Sequence, residues 1–149
     1  MSAQDPRNKF KTDNYEKQEQ EVPGIQAKMS PQPDCGEDSY HGHHRLDGFK
    51  ILVTGGDSAI GRAAAIAYAK EGADVAINYL PSEQQDADDV KQIIENVGQK
   101  AILIPGDIRD EQFNYDMVEE AYQQLGGLDN VTLVAGHQLY QDELSEFKT

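Results

Sequence analysis

Hydrophobic and polar positions divide the chain into two parts that meet at Phe49. In residues 1–47, which we call the arm, apolar residues are sparse and follow no period of 2 or 3.6. Four prolines interrupt this polar segment. The composition is typical either of a disordered tail or of an extended arm that lies on a partner subunit of a homo-oligomer.

After Phe49, short apolar runs alternate with amphipathic stretches that end at glycines. The runs at 50–54, 74–79, 101–104 and 131–134 predict buried strands. Apolar residues at helical spacing predict helices over 59–71, from a cap at Ser82 to Val97, and over 110–125. This order predicts an α/β fold, with a Rossmann-type doubly wound parallel sheet over residues 48–136 and strand order 3-2-1-4. Residues 137–149 are expected to be a short tail that begins an incomplete helix.

Composition narrows the range of partners. The 149 residues carry a formal net charge of −14, which repels nucleic acid and anionic membrane surfaces. Cys35 is the single cysteine, so no intramolecular disulfide can form. Neither a signal peptide nor a run of transmembrane length is present in the sequence. We therefore expect a cytoplasmic location.

A glycine-rich segment joins the first strand to the first helix. It runs from Thr54 to Arg62 and is called the glycine turn below. In this context the backbone approaches a pyrophosphate closely, and the helix N-terminus offers free N–H groups. A P-loop is the competing interpretation, but Arg62 and Ala63 stand where that motif needs Lys and Ser or Thr.

The glycine turn resembles that of the short-chain dehydrogenase/reductase family, which reads T-G-x-x-x-G-x-G. Thr54, Gly55 and Gly61 match it, and Ala59 stands at the middle glycine. Within the family, the chain is similar to a bacterial branch of NAD(P)-dependent oxidoreductases and aldehyde reductases with a long N-terminal arm. The arm segments that carry this similarity are Pro23–Met29 and Pro33–Glu37.

The resemblance implies a nicotinamide dinucleotide, NADP or NAD, as the cofactor. Asp107 would contact the adenine, with a strand-end cap as its alternative role, and Ala135-Gly136 would lie beside the ribose. We expect a preference for NADP because Asn78 and Tyr79 replace an acidic residue at the end of strand two. The residues implied to bind the cofactor are Thr54, Gly55, Asp57, Ser58, Ile60, Gly61, Arg62, Asn78, Tyr79, Asp107, Ile108, Ala135 and Gly136.

Catalytic residues are not expected in this chain. The family's catalytic Asn, Ser and Tyr-x-x-x-Lys would all lie beyond Thr149, and Tyr140 is followed four residues later by Leu144. One hypothesis is an NAD(P)-dependent oxidoreductase of the carbonyl reductase or alcohol dehydrogenase type, truncated after about four strands and inactive alone. The other is a non-catalytic product that binds nucleotide or pairs with intact subunits, or an inert remnant.

Three other polar features have simpler interpretations than a site. Cys35, His41, His43 and His44 include metal-ligating types, but a polar arm lacks the folded scaffold of a zinc site, so no metal is expected. The run of acids at Asp86, Asp88 and Asp89 favours the N-terminal half of a helix through the dipole. His137 is expected to be solvated.

Overall fold

The fold of residue 5 and residues 17–137 is described by a computed structural model. All strand pairs are parallel, and the order is β3-β2-β1-β4, which confirms the predicted Rossmann-type sheet. Tyr140 and the predicted tail helix lie outside the described residues. The elements are β1 (Lys50–Thr54), α1 (Ala59–Lys70), β2 (Asp74–Tyr79), α2 (Gln84–Asn96), β3 (Ala101–Pro105), α3 (Glu111–Leu125) and β4 (Asn130–Leu133).

The start of α2 differs from the prediction. Ser82 does not cap this helix, because residues Pro81–Glu83 form a 3-10 turn that runs directly into it. Proline suits the first position of such a turn, since it has a helical φ and no N–H to satisfy. The Glu83 carboxylate accepts from the Leu80 N–H at 3.2 Å at the start of this turn, and Glu83, the N-cap residue of α2, makes no side-chain capping bond to the helix.

The two faces of the sheet bury separate cores, because successive strand residues point to opposite sides. One face, with Ile51 and Val53 of β1, packs against α1 and α2. The other, with Leu52, packs against α3. The second face is less covered: Val131 of β4 is 42% exposed and Leu133 is 80% exposed.

The described part of the arm lies against its own chain. Residues Gln26–Lys28 form a 3-10 turn, and the side chains of Gln26 and Cys35 are buried. Cys35 belongs to the same core as α1 and α2. The sequence suggested a disordered tail or contact with a partner subunit, whereas here the arm extends over the helices of its own domain.

The later part of the arm is fixed at the C-terminal end of α1. The buried Glu71 carboxylate accepts from the N–H groups of His43 (2.9 Å) and Arg45 (3.1 Å), from the Arg45 guanidinium and from the Tyr40 hydroxyl. The Lys70 ammonium donates to three arm carbonyls, including that of Tyr40 at 2.9 Å. These contacts join the arm to α1 at the opposite end from the glycine turn.

Candidate functional site

Thr54 connects the ends of β1 and β4. Its hydroxyl oxygen accepts from the N–H groups of Val134 (3.1 Å) and Ala135 (3.2 Å), and its carbonyl oxygen also accepts from the Ala135 N–H (3.1 Å). A β-carbon at Gly55 would lie 3.1 Å from the Ala135 Cα. The structure therefore brings the glycine turn and the predicted ribose contact together at the carboxyl edge of the sheet, where ligands bind in this fold.

Asn78 makes the equivalent connection between β2 and β3. Its side-chain amide is 2% exposed and donates to the carbonyls of Ile104 (3.1 Å) and Gly106 (3.0 Å). Its backbone carbonyl accepts from the Gly56 N–H at 3.1 Å. The amide of Asn78, a residue that the sequence assigned to the cofactor, thus holds the ends of β2 and β3 in place.

The glycine turn leaves two N–H donors free at the start of α1. Within the described residues, the N–H groups of Ile60 and Gly61 have no hydrogen-bond partner, and the Ser58 side chain makes no capping bond. Ile60 is 76% exposed. A β-carbon at Gly61 would lie 1.8 Å from the Gly55 carbonyl oxygen, so only glycine fits there. Free donors at a helix N-terminus suit a phosphate group.

Asp57 of the glycine turn is buried near other acids. It is 2% exposed, and its Oδ2 atom has no hydrogen-bond partner in the described part of the chain. Burial raises the pKa of Asp57, and the negative charge of Asp86 raises it further. Burial likewise raises the pKa of Glu83, with Asp57 adding to the effect. These acids lie between the glycine turn and the start of α2.

The remaining residues near the end of β2 carry little free charge. The Tyr79 side chain is 3% exposed, and its hydroxyl donates to the Gln84 side chain at 2.7 Å. The Arg62 guanidinium forms an ion pair with the Glu37 carboxylate of the arm at 2.8 Å. The positive charge of Arg62 is thus already paired.

Asp107 and Ile108 follow β3 at the same edge of the sheet. Hydrogen bonds from Arg109 lower the pKa of the Asp107 carboxyl to about 2. The cap of α3 is a different residue, Asp110, whose carboxylate accepts from the N–H groups of Gln112 and Phe113. Ile108 packs into the α3 core. Asp107 is therefore charged and partly accessible, and its carboxylate accepts from the Arg109 N–H at 2.9 Å, which fits its alternative role as a strand-end cap.

The end of β4 is open. Gly136 and His137 are exposed, and the nearest atom to a β-carbon at Gly136 would be the Val134 carbonyl oxygen at 3.8 Å.

The arm residues of metal-ligating type do not gather into a site within the described residues. One of them, His44, pairs with Asp47 at 3.1 Å. Residues 17–137 contain no group of three His, Cys, Asp or Glu side chains placed to hold a metal ion. No helix in this range is long and apolar enough to cross a membrane.

Sequence reasoning missed the residues by which the arm contacts the glycine turn. Asp86, interpreted as an acid that favours a helix N-terminus, also accepts from the arm N–H groups of Gln26 (2.6 Å) and Ala27 (3.1 Å). Gln26 in turn accepts from the Ala59 N–H at 2.6 Å. A glutamine in a polar arm carries no local sign of burial, so the sequence could not identify its contact with Ala59, 33 residues away.

Comparison with known proteins gives consistent matches. The sequence model of the family described as short chain dehydrogenase matches residues 50–148. The uncharacterized oxidoreductase YghA of Escherichia coli (strain K12) is 59% identical over 142 residues, which cover 95% of this chain and 48% of that protein. The uncharacterized oxidoreductase YhxD of Bacillus subtilis (strain 168) is 57% identical over 144 residues, covering 97% of this chain and 48% of that protein.

A solved structure shows the same arrangement. The short chain dehydrogenase from Burkholderia cenocepacia J2315, crystallised in complex with NADP, is similar with a TM-score of 0.61 and 39% identity. The match covers 70% of this chain and 42% of that chain. The chain thus spans about half the length of the relatives it matches.

Proposed function

Because the chain belongs to the short-chain dehydrogenase family, we propose that residues 48–136 bind NADP or NAD as the coenzyme-binding half of an oxidoreductase. The observation that carries this proposal is the pair of free N–H donors at Ile60 and Gly61, on a turn whose glycines leave no room for side chains. The complex of the Burkholderia relative with NADP supports it.

Each part of the carboxyl edge has a defined role in this proposal. The N–H groups of Ile60 and Gly61 hold a phosphate, with the positive end of the α1 dipole behind them. Asp107 accepts from the adenine amino group, and the backbone of Ala135-Gly136 borders the ribose. Thr54 and Asn78 fix the distances among these groups without touching the ligand. A bound nicotinamide supplies a hydride donor or acceptor for a carbonyl or alcohol substrate.

The choice between NADP and NAD remains a prediction. We keep NADP as the expected coenzyme because the end of β2 presents no acidic side chain, and an acid there repels a 2′-phosphate. The preference is expected to be small, since Arg62 is paired with Glu37 and three buried acids lie beside the turn. The cytoplasmic location and a homo-oligomer contact through the exposed face of the arm are also kept as predictions.

The test separates binding from turnover. Calorimetric titration of the 149-residue chain with NADPH and, separately, with NADH is expected to show binding of both. Incubation with NADPH and a panel of aldehydes and ketones is expected to show no turnover, because this chain supplies no Tyr-Lys pair to protonate the substrate oxygen. Absence of binding would overturn the proposed site. Turnover that is lost on mutation of His137 or Tyr140 would overturn the expectation of inactivity.

A further inference from the structure

Ala59 combines a side chain with a left-handed backbone in the middle of the glycine turn. Its φ is +45°, a region that L-residues with a β-carbon disfavour and glycine adopts freely. The family that the turn resembles has glycine at this position. A conformation of this kind persists only where the surrounding structure holds it.

The arm contacts both backbone polar groups of Ala59. The Ala59 N–H donates to the Gln26 side-chain oxygen at 2.6 Å. The Ala59 carbonyl oxygen accepts from the Cys35 thiol at 3.9 Å, and the Cys35 sulfur lies 3.5 Å from the Gln26 side-chain nitrogen. Gln26, Cys35 and Ala59 thus form a closed ring of hydrogen bonds, although those to sulfur are weak.

The arm side of this ring is itself held rigidly. Gln26 is 7% exposed, and its N–H donates to the Asp86 carboxylate at 2.6 Å. Asp86 is 1% exposed and accepts from Ala27 as well. Cys35 donates its N–H to Glu37, whose second oxygen pairs with Arg62 of α1. The arm therefore holds Ala59 from a position anchored on both α1 and α2.

We propose that Gln26 is a positioning residue that, together with Cys35, holds Ala59 in the left-handed conformation and so sets the affinity of the glycine turn for a dinucleotide. This inference rests on the proposed function. The Gln26 side chain occupies the Ala59 N–H and leaves those of Ile60 and Gly61 for the phosphates. With the ring broken, Ala59 relaxes toward negative φ and the two following N–H groups lose their alignment.

The experiment compares the parent chain, Gln26→Met, Ala59→Gly and the double variant. Methionine keeps the volume of glutamine and removes its hydrogen bonds. In the parent background, Gln26→Met is expected to weaken NADPH binding about tenfold, the factor that corresponds to the left-handed cost of an L-residue. In the Ala59→Gly background the same change is expected to weaken NADPH binding less than about twofold, because glycine adopts the left-handed conformation without being held there by the arm.

Two further variants provide a control and a second test of this role of Gln26. Gln32→Met removes another arm glutamine, whose amide is exposed and donates to the Ala27 carbonyl, and is expected to leave NADPH affinity unchanged. Cys35→Ala removes the sulfur from the ring of hydrogen bonds and is expected to weaken NADPH binding about twofold to threefold. If Gln26→Met does not fold, this variant tests whether the ring holds Ala59.

If Gln26→Met weakened NADPH binding equally in both backgrounds, the proposal that Gln26 holds Ala59 in the left-handed conformation would be overturned, while the dinucleotide site would stand. If the parent chain bound neither NADPH nor NADH, the proposed function would fail instead. The urea midpoints of the same four proteins would then decide whether the arm holds Ala59. If Gln26→Met lowers the urea midpoint less in the Ala59→Gly background than in the parent, the arm holds Ala59. Equal losses in the two backgrounds reject this role of Gln26.

Discussion

The ends of β1 and β4 both carry residues assigned to the coenzyme, yet their surroundings differ. The glycine turn after β1 lies beneath the arm, beside a core of fourteen buried apolar residues. The segment after β4 contacts this same core through the partly buried Val134, but its Gly136 and His137 are exposed. The glycine turn is therefore covered by the arm and the core except around Ala59 and Ile60, which stay exposed. The segment after β4 is held mainly by the hydroxyl and carbonyl of Thr54.

This difference indicates where affinity is determined in this chain. A packed turn is already in its binding conformation, so little ordering cost is added when a ligand arrives. An exposed segment can accommodate changes of shape without affecting its neighbours. We therefore expect substitutions near the glycine turn to have large effects and equivalent substitutions after β4 to have small ones.

The largest expected effect comes from adding one methyl group at each end. In Gly61→Ala the new carbon meets the Gly55 carbonyl oxygen at 1.8 Å, and the backbone has to move. In Gly136→Ala the nearest atom lies at 3.8 Å. Overpacking of this kind costs about 3 kcal/mol, so Gly61→Ala is expected to weaken NADPH binding roughly 100-fold. Gly136→Ala is expected to change it less than about threefold.

Both affinities come from the same calorimetric titration, and thermal melts establish that each variant is folded. Similar affinities for the two variants would show that the packed and open ends contribute alike. That result would remove the main argument for placing the phosphates at the glycine turn.

A second prediction concerns the arm's other anchor. Hydrogen bonds from Arg45 and Tyr40 lower the pKa of Glu71. A carboxyl whose folded pKa is lowered stabilises the fold at neutral pH, and this contribution is lost as the pH falls below about 4.3, the value for an unfolded chain. Glu71→Gln is expected to lower the melting temperature at pH 7 by several degrees and to make stability less dependent on pH in the acid range.

The matched control is Glu120→Gln on α3, on the less covered face of the sheet. The Glu120 carboxylate is exposed and accepts one hydrogen bond, from Gln124 in the next turn of the helix. Such surface contacts contribute little, so its melting temperature should not change. A melting temperature for Glu71→Gln equal to that of this control would mean that the arm does not stabilise the domain.

Local signals in the sequence were sufficient for the sheet but not for the arm. Apolar runs and glycine stops predicted the strands and their order, because each signal lies within the element that it defines. The arm depends on pairs that are far apart in the chain, such as Gln26 with Asp86, sixty residues away. Polar side chains carry no periodicity that identifies such a partner. The structural role of the Asn78 amide was not predicted for the same reason, since its bonds to the carbonyls of Ile104 and Gly106 follow from strand order and not from its neighbours in sequence.

The smallest expected effect tests the charge beside the packed turn. Arg62 is paired with Glu37 at 2.8 Å, and its side chain is 11% exposed, so its charge is largely neutralised. In Glu37→Gln the guanidinium regains a full positive charge, while the amide oxygen of glutamine remains available to the Cys35 N–H. A partly exposed charge pair is worth about 0.5–1 kcal/mol, so NADPH affinity relative to NADH should rise roughly two- to fivefold.

Glu95→Gln removes a carboxylate paired with Lys91 at the far end of α2 and controls for the change in net charge. The ratio of the two dissociation constants, measured at low and at 0.5 M salt, is the readout, because screening abolishes a charge effect. If the ratio is the same in Glu37→Gln, Glu95→Gln and the parent chain, Arg62 lies outside the reach of a 2′-phosphate and the arm side of the turn does not determine coenzyme choice.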